Sequence, residues 1–277
     1  MSGRVDLHVH TTASDGQFSP ADIVRQALEI GLEAIAVTDH DTIDGVPQAL
    51  EAAEGAPLEV IPGVELSTLH STTEVHVLGY YISQDDLGLR DTLTRLRDSR
   101  LQRAQRILAK LDRLGMPLGW DELQRIAGQA VIGRPHISLA MLERGYISTV
   151  AEAFDLYIGR GKPAYAERYK LSPDEAVRII LRAGGLPVLA HPLEVAYLVP
   201  ALVEAGLLGL EAYYPGYAPD ETEFLLRVAD KHALVATGGS DFHGADVLPG
   251  HHLGAVMVPY EAVQQLHACR QRCHLAT

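Results

Sequence analysis

Thirteen histidines in 277 residues, against four phenylalanines and one tryptophan, make imidazole the unusual side chain of this sequence. Imidazole is the commonest metal ligand and the acid/base that titrates near neutrality. Six of these histidines lie in short polar clusters together with three carboxylates. The first cluster is Asp6-Leu7-His8-Val9-His10, where strand alternation puts His8 and His10 on one face. Asp15 follows in a Ser-Asp-Gly turn. Next come Thr38-Asp39-His40-Asp41, then Gly63-Val64-Glu65, with His76 in a run otherwise rich in Val and Leu. Ala190-His191-Pro192 and Gly239-Ser240-Asp241-Phe242-His243-Gly244 complete the set. Nitrogen and oxygen donors without thiolate suit zinc, manganese or iron. Nine donors are too many for one ion, and two or three ions sharing a bridging carboxylate would use them.

The surrounding elements explain the placement. Short strands are expected at Val5–His10, Ala34–Val37, Leu58–Ile61, Glu74–Ile82, Pro187–Ala190, Leu208–Tyr213 and Leu234–Thr237. Helices alternate with them. Ser19 caps one that opens with Pro20 and draws Asp22 back, and Gly31 closes it. Alternating strands and helices imply a parallel sheet or barrel, in which chemistry sits at the carboxyl ends of strands. All nine candidate donors are expected at such ends. Between about residues 85 and 170 no strand pattern appears and helical segments dominate. The organisation expected is a discontinuous α/β body of residues 1–84 and 171–277, with a helical insertion over 85–170 as a substrate cap.

Composition narrows the function. Hydrophobic residues are 47% and charged residues 21%, which supports a sizeable core. The formal charge of -13 disfavours a broad electrostatic grip on nucleic acid, so no stable nucleic-acid complex is expected. No apolar run approaches the ~18 residues of a membrane helix, and the first residues do not read as a signal peptide. Two cysteines, Cys269 and Cys273, cannot staple such a chain, so a reducing, cytoplasmic compartment is expected. Their spacing, with His274 beside them, reads as a terminal amphipathic helix rather than a small metal site.

The five motifs Asp-Leu-His-Val-His, Thr-Asp-His-Asp, Gly-Val-Glu, Ala-His-Pro and Gly-Ser-Asp-Phe-His, in that order, resemble the PHP (polymerase and histidinol phosphatase) family. The resemblance implies a distorted (β/α)7 barrel with a multinuclear centre. It implies one ion on His8, His10, Glu65 and Asp241, a second on Glu65, His76 and His191, and a third on Asp15, His40 and His243. It further implies a phosphoric ester hydrolase that uses metal-activated hydroxide. His243 is a candidate acid for the leaving alcohol as well as a candidate ligand. The similarity is greatest to the subgroup with a helical insertion, which includes nucleoside 3',5'-bisphosphate phosphatases and a related exoribonuclease.

The insertion offers candidate anion contacts. On a helix over Leu93–Leu114, Arg100 and Arg97 fall within the apolar arc, while Arg95, Arg103, Arg106, Lys110 and Arg113 are expected on a solvated face. A buried arginine needs an anion, either a phosphate or a carboxylate partner. For Arg97 the carboxylate is the expectation. Pro135 opens a helix and leaves Arg134 and His136 at its start, where backbone N–H groups favour an anion. Gly161-Lys162-Pro163-Ala164-Tyr165 adds a cation and a ring, with Tyr165 expected to pack rather than bind. Arg100, Arg134, His136 and Lys162 are the substrate contacts implied by the resemblance.

The expected substrate is a small nucleotide, a nucleoside 3',5'-bisphosphate in particular. A 5'-to-3' exoribonuclease on short RNA, a histidinol phosphate phosphatase and a noncatalytic metal-binding module are the alternatives.

Overall fold

The computed structural model describes residues 4–128, 132–245 and 247–275, with side chains described to residue 272 at the carboxyl end. Seven strands form one sheet in chain order. β1 (Val5–Val9), β2 (Ala34–Val37) and the start of β3 (Glu59–His70) run parallel. β3 then turns through Ser71 and Thr72 into β4 (Thr73–Tyr80), which pairs antiparallel with β3 and with β5 (Leu186–Leu189). β6 (Gly209–Tyr213) and β7 (Val235–Gly238) return to parallel pairing. The alternation of elements predicts parallel strands throughout, and β4 departs from it. The reason is the short connection, since a parallel crossover needs about a dozen residues or more. Beyond β7, Val9 bridges Phe242 and the His10 N–H donates to the Phe242 carbonyl at 3.0 Å. This bridge nearly closes the sheet into a barrel.

The helices follow in chain order: α1 (Pro20–Glu29), α2 (Val46–Ala52), α3 (Leu87–Arg113), α4 (Trp120–Ala127), α5 (Arg134–Glu143), α6 (Val150–Ala153), α7 (Pro173–Arg182), α8 (Val199–Ala205), α9 (Pro219–Lys231) and α10 (Glu261–Leu275). Ser19 accepts the Asp22 N–H at 3.2 Å and donates to the Asp22 carboxylate at 2.7 Å, which sets the start of α1. Ser172 and Glu175 form a reciprocal capping box at α7. None of the described helices is long and apolar enough to cross a membrane.

The chain divides into two compact units, one of residues 1–91 and 170–277 and one of residues 92–169. The first is the barrel. Its core joins Val5, Leu7, Tyr80, Leu186 and Val188 of the strands to Val263, Leu266 and Cys269 of α10. The side chains of Cys273 and His274 lie outside the described residues. The second unit is helical, with Ile107, Leu111, Leu123, Ile137 and Met141 in its own core.

The long helix α3 corrects two expectations. Arg103, expected in solvent, is 6% exposed. It follows Leu96 by seven residues, almost two full turns, and so shares the buried face. Arg97, expected inside the apolar arc, is exposed, and Arg100 is half-buried. The helix also starts at Leu87, earlier than the sequence pattern indicates.

Candidate metal centre

The barrel gathers all nine candidate donors at one end. β1 carries His8, and His10 follows directly after its last residue, with both side chains fully buried. Their Nε2 atoms stand 3.1 Å apart. Glu65 Oε2 lies 3.2 Å from His8 Nε2 and 3.1 Å from His10 Nε2, and Asp241 Oδ1 lies 3.3 and 3.2 Å from the same atoms. Donors that share a tetrahedral ion, each at about 2.0–2.1 Å, stand roughly 3.3–3.4 Å apart. The spacing of this quartet therefore fits an ion, and packing four polar atoms so closely without one would be costly.

Glu65 is the hub. Besides His8 and His10, its oxygens lie 3.0 Å from His40 Nδ1, 2.8 Å from His76 Nδ1 and 3.4 Å from His191 Nε2. Five imidazoles thus surround one carboxylate that is 1% exposed. His10, Asp15, His40 and His243 form a further group, with His243 Nε2 3.5 Å from Asp15 Oδ1 and His40 Nε2 4.0 Å from Asp15 Oδ2. His40, Glu65 and His76 form another.

Several close approaches do not have hydrogen-bond geometry. His10 Nδ1, Asp15 Oδ1, His40 Nδ1, Glu65 Oε1 and His76 Nδ1 are all buried without a hydrogen-bond partner. Orphaned polar atoms converging on one spot call for a cation. The donor chemistry and the orphaned atoms together fit divalent metal ions.

Electrostatics agrees. Burial opposes the charge of Glu65, but His40, His76 and His8 overcome it and hold the carboxyl well below its usual range. Asp15 and Asp241 are likewise held well down by their histidines against the cost of burial. His40 is raised to about 9, the pull of Glu65 and Asp15 exceeding the burial cost. Without metal, protons must balance these carboxylates.

Two sequence expectations need correction. Glu65 and His76 do not stand at strand ends. Glu65 is inside β3, held level with the end of β2 by the His40–Glu65 bridge. His76 lies in the amino-terminal half of β4, opposite Ser67. Because β4 runs antiparallel, that half reaches the end of the barrel where its parallel neighbours finish.

A layer of partners that sequence reasoning missed fixes the donors. Glu211, fully buried on β6, accepts from His8 Nδ1 at 3.1 and 3.2 Å and from the His191 backbone N–H at 2.8 Å. That bond places the His8 proton on Nδ1 and turns the Nε2 lone pair to the centre. The Tyr214 hydroxyl donates to Asp241 Oδ2 at 2.7 Å, leaving Oδ1 to face His8 and His10. Asp39 accepts from Thr11 N, Thr11 Oγ and Ser14 Oγ at 2.7–2.8 Å, which sets the loop carrying Asp15. Asp6 accepts from Ser240 N, Ser240 Oγ and Gly254 N at 2.6–2.8 Å, tying β1 to the loop of Asp241. A glutamate in the apolar run Leu208–Tyr213 was the available signal for Glu211, because a charge buried on a strand needs a partner. His191 and Asp241 hold φ values of 28° and 51°, left-handed conformations that cost non-glycine residues about 1–3 kcal/mol each and that cluster at functional sites.

The candidate substrate contacts all belong to the helical unit. Arg134 and His136 share the first turn of α5, and the Arg134 guanidinium lies 5.5 Å over the Phe154 ring. The Gly133 N–H donates to His136 Nδ1 at 3.0 Å. Lys162 is exposed, and Tyr165 is half-buried with its carbonyl accepting from Lys110.

The PHP domain profile matches residues 6–157, more than half of the chain. The chain belongs to the PHP domain family. It is 34% identical to the 5'-3' exoribonuclease Rnm of Salmonella typhimurium, over 86% of this chain and 84% of that one. It is 30% identical to the 3',5'-nucleoside bisphosphate phosphatase of Chromobacterium violaceum, over 86% and 87%. A putative metal-dependent phosphoesterase from Bifidobacterium adolescentis superimposes with a TM-score of 0.86 at 31% identity, covering 98% of this chain and 97% of that one. This PHP chain is a metal-dependent phosphoesterase, a phosphoric ester hydrolase with a nearly closed seven-stranded barrel and a His/Asp/Glu cluster able to bind metals.

Proposed function

We propose that the enzyme removes the 3'-phosphate from a nucleoside 3',5'-bisphosphate, giving the nucleoside 5'-monophosphate and phosphate. His8, His10, Asp15, His40, Glu65, His76, His191, Asp241 and His243 hold two or three divalent ions, with manganese, zinc or iron suited to the donors. Such ions, when bound, supply Lewis acidity and a water nucleophile at neutral pH. The observation that carries the reading is Glu65 with its five imidazoles, a bridging carboxylate poised for more than one ion.

The chain's own groups do the rest. The left-handed turns of His191 and Asp241 keep these side chains aimed inward without waiting for substrate. The His243 Nδ1–H donates to the Asp241 carbonyl at 2.9 Å, so its Nε2 carries a lone pair toward Asp15. That state suits His243 as a ligand. The leaving-group acid role needs a proton on the same Nε2.

In the helical unit, Arg100, Arg134, His136 and Lys162 recognise the second phosphate. The Gly133 N–H occupies His136 Nδ1, which places the neutral imidazole's proton on Nε2 as a donor for a phosphate oxygen. Residues 95–113 carry net +5 while the chain as a whole is at -13, a local basic stretch scaled to a compact anion.

The exoribonuclease reading is the second, favoured by the 34% identity to a relative of that name. A phosphate- and nucleotide-release panel with Mn²⁺ separates the two. It covers a 3',5'-bisphosphate, AMP, histidinol phosphate and short 5'-phosphorylated RNA. Preference for the bisphosphate with loss on chelation supports the proposal, and preference for RNA overturns it. Arg134→Ala is expected to raise KM for the bisphosphate more than for a simple phosphate ester. Equal effects would remove Arg134 from second-phosphate recognition.

A further inference from the structure

A cavity of about 320 Å³ opens beside the metal centre on the β4, β5 and β6 side of the barrel unit. At its inner end stand His76 and His191, two of the candidate ligands. Tyr214, Tyr217, Leu193, Val195, Glu74 and Glu194 are also among its lining residues. Among the described lining residues there is no lysine or arginine. Lys170 reaches Glu74 in an ion pair, and among the described residues no lysine or arginine pairs with the exposed carboxylate of Glu194.

The two tyrosines are pinned by their hydroxyl ends. Tyr214 donates to Asp241, and Tyr217 Oη accepts from the Leu193 N–H at 3.4 Å. Their ring centroids stand 5.2 Å apart, and the Tyr214 ring lies 5.6 Å from that of His191. The aromatic surface therefore runs continuously from a candidate ligand to the cavity wall. A phosphate is excluded from the outer part, because it would meet a carboxylate and no fixed cation. An uncharged planar group suits it: rings give a stacking platform, and Glu194 accepts from an amine or hydroxyl.

We infer that this cavity is the subsite for the nucleoside part of the substrate, with the base packed on Tyr217, its amine or hydroxyl donors near Glu194, and the scissile phosphate at the His76–His191 end. The inference rests on the phosphoesterase reading of the centre and adds to it the side on which the organic group leaves. Any second phosphate lies outside this cavity.

The test separates the cavity from the chemistry. Adenosine, which has no phosphate, is titrated calorimetrically into the metal-free protein and into Tyr217→Ala and Tyr217→Phe. Binding to the wild type, weakened about tenfold in Tyr217→Ala and kept in Tyr217→Phe, supports the subsite. No binding, or equal binding by Tyr217→Ala, overturns it. In the Mn²⁺-loaded enzyme, Tyr217→Ala is expected to lower kcat/KM for a nucleotide about tenfold more than for glycerol phosphate. An equal loss for both would mark Tyr217 as structural and overturn the inference. A wild type that hydrolyses no phosphoester defeats the proposed function instead, and the adenosine titration then decides the cavity by itself.

Discussion

The barrel and the helical unit use charge in opposite ways. In the barrel, Asp6, His8, His10, Asp39, Glu65 and Glu211 are all nearly or fully buried, and each lies against two or more polar groups. In the helical unit Arg103 is buried, but Arg95, Arg97, Arg106, Arg113 and Lys162 are exposed, and Arg100 and Arg134 are half-buried. Buried polar atoms must be satisfied, so the barrel dictates geometry residue by residue. Solvated cations carry little such constraint, so they tune attraction more than they fix position. The lesson is that precision here follows burial, and the mutational consequences should follow it too.

The largest effect is expected at the hub. Glu65→Gln keeps the volume but removes the bridging charge, and should abolish both metal loading and phosphate release. Metal content by mass spectrometry of the purified variant checks this, and full occupancy would remove Glu65 from its central place. Next is Glu211→Gln, which leaves every candidate ligand intact yet weakens the hold on the His8 tautomer. A loss of about 10–100-fold in metal affinity or activity is expected, as for other partners behind metal-bound histidines. An unchanged metal affinity would mean that the buried second layer is packing only.

Protons provide the third contrast. In the metal-free barrel His40 has its pKa raised from about 6.5 to about 9. A raised folded pKa stabilises the fold fully below the unfolded value, and that contribution is lost as pH rises through about 9. Metal-free protein should therefore melt at lower temperature at pH 10 than at pH 7, while metal-loaded protein, with ions in place of protons, should show a smaller drop. Metal loading at pH 7 should release protons, seen as a buffer-dependent heat in calorimetry. The smallest effects belong to α3. Arg103→Ala is expected to cost about 1–3 kcal/mol, and exposed Arg97→Ala to stay within about 0.5 kcal/mol, in denaturant titrations. Equal costs would erase the distinction between the two faces.

Much of the site was legible in the chain because its donors occur in short local patterns. His8-Val9-His10 requires only strand alternation, and His191 and the Asp241–His243 segment follow apolar strands directly. What was not legible depended on long-range partners. Glu211 is one charge in an apolar strand until His8, 203 positions away, is found against it. Arg103 shows a different limit, because small angular differences on a helix decide burial only once a neighbour covers that face.

The sequence by itself determined the alternation of elements and the family and offered the candidate donors, because residue type and local spacing carry ligand chemistry and strand period. Only the tertiary structure decided that β4 runs antiparallel and so brings His76 beside Glu65. It also decided that Glu65 meets five imidazoles and that Glu211 and Tyr214 set which atoms face the centre. Those facts depend on which strands become neighbours, and burial then makes each neighbour's hydrogen bond obligatory.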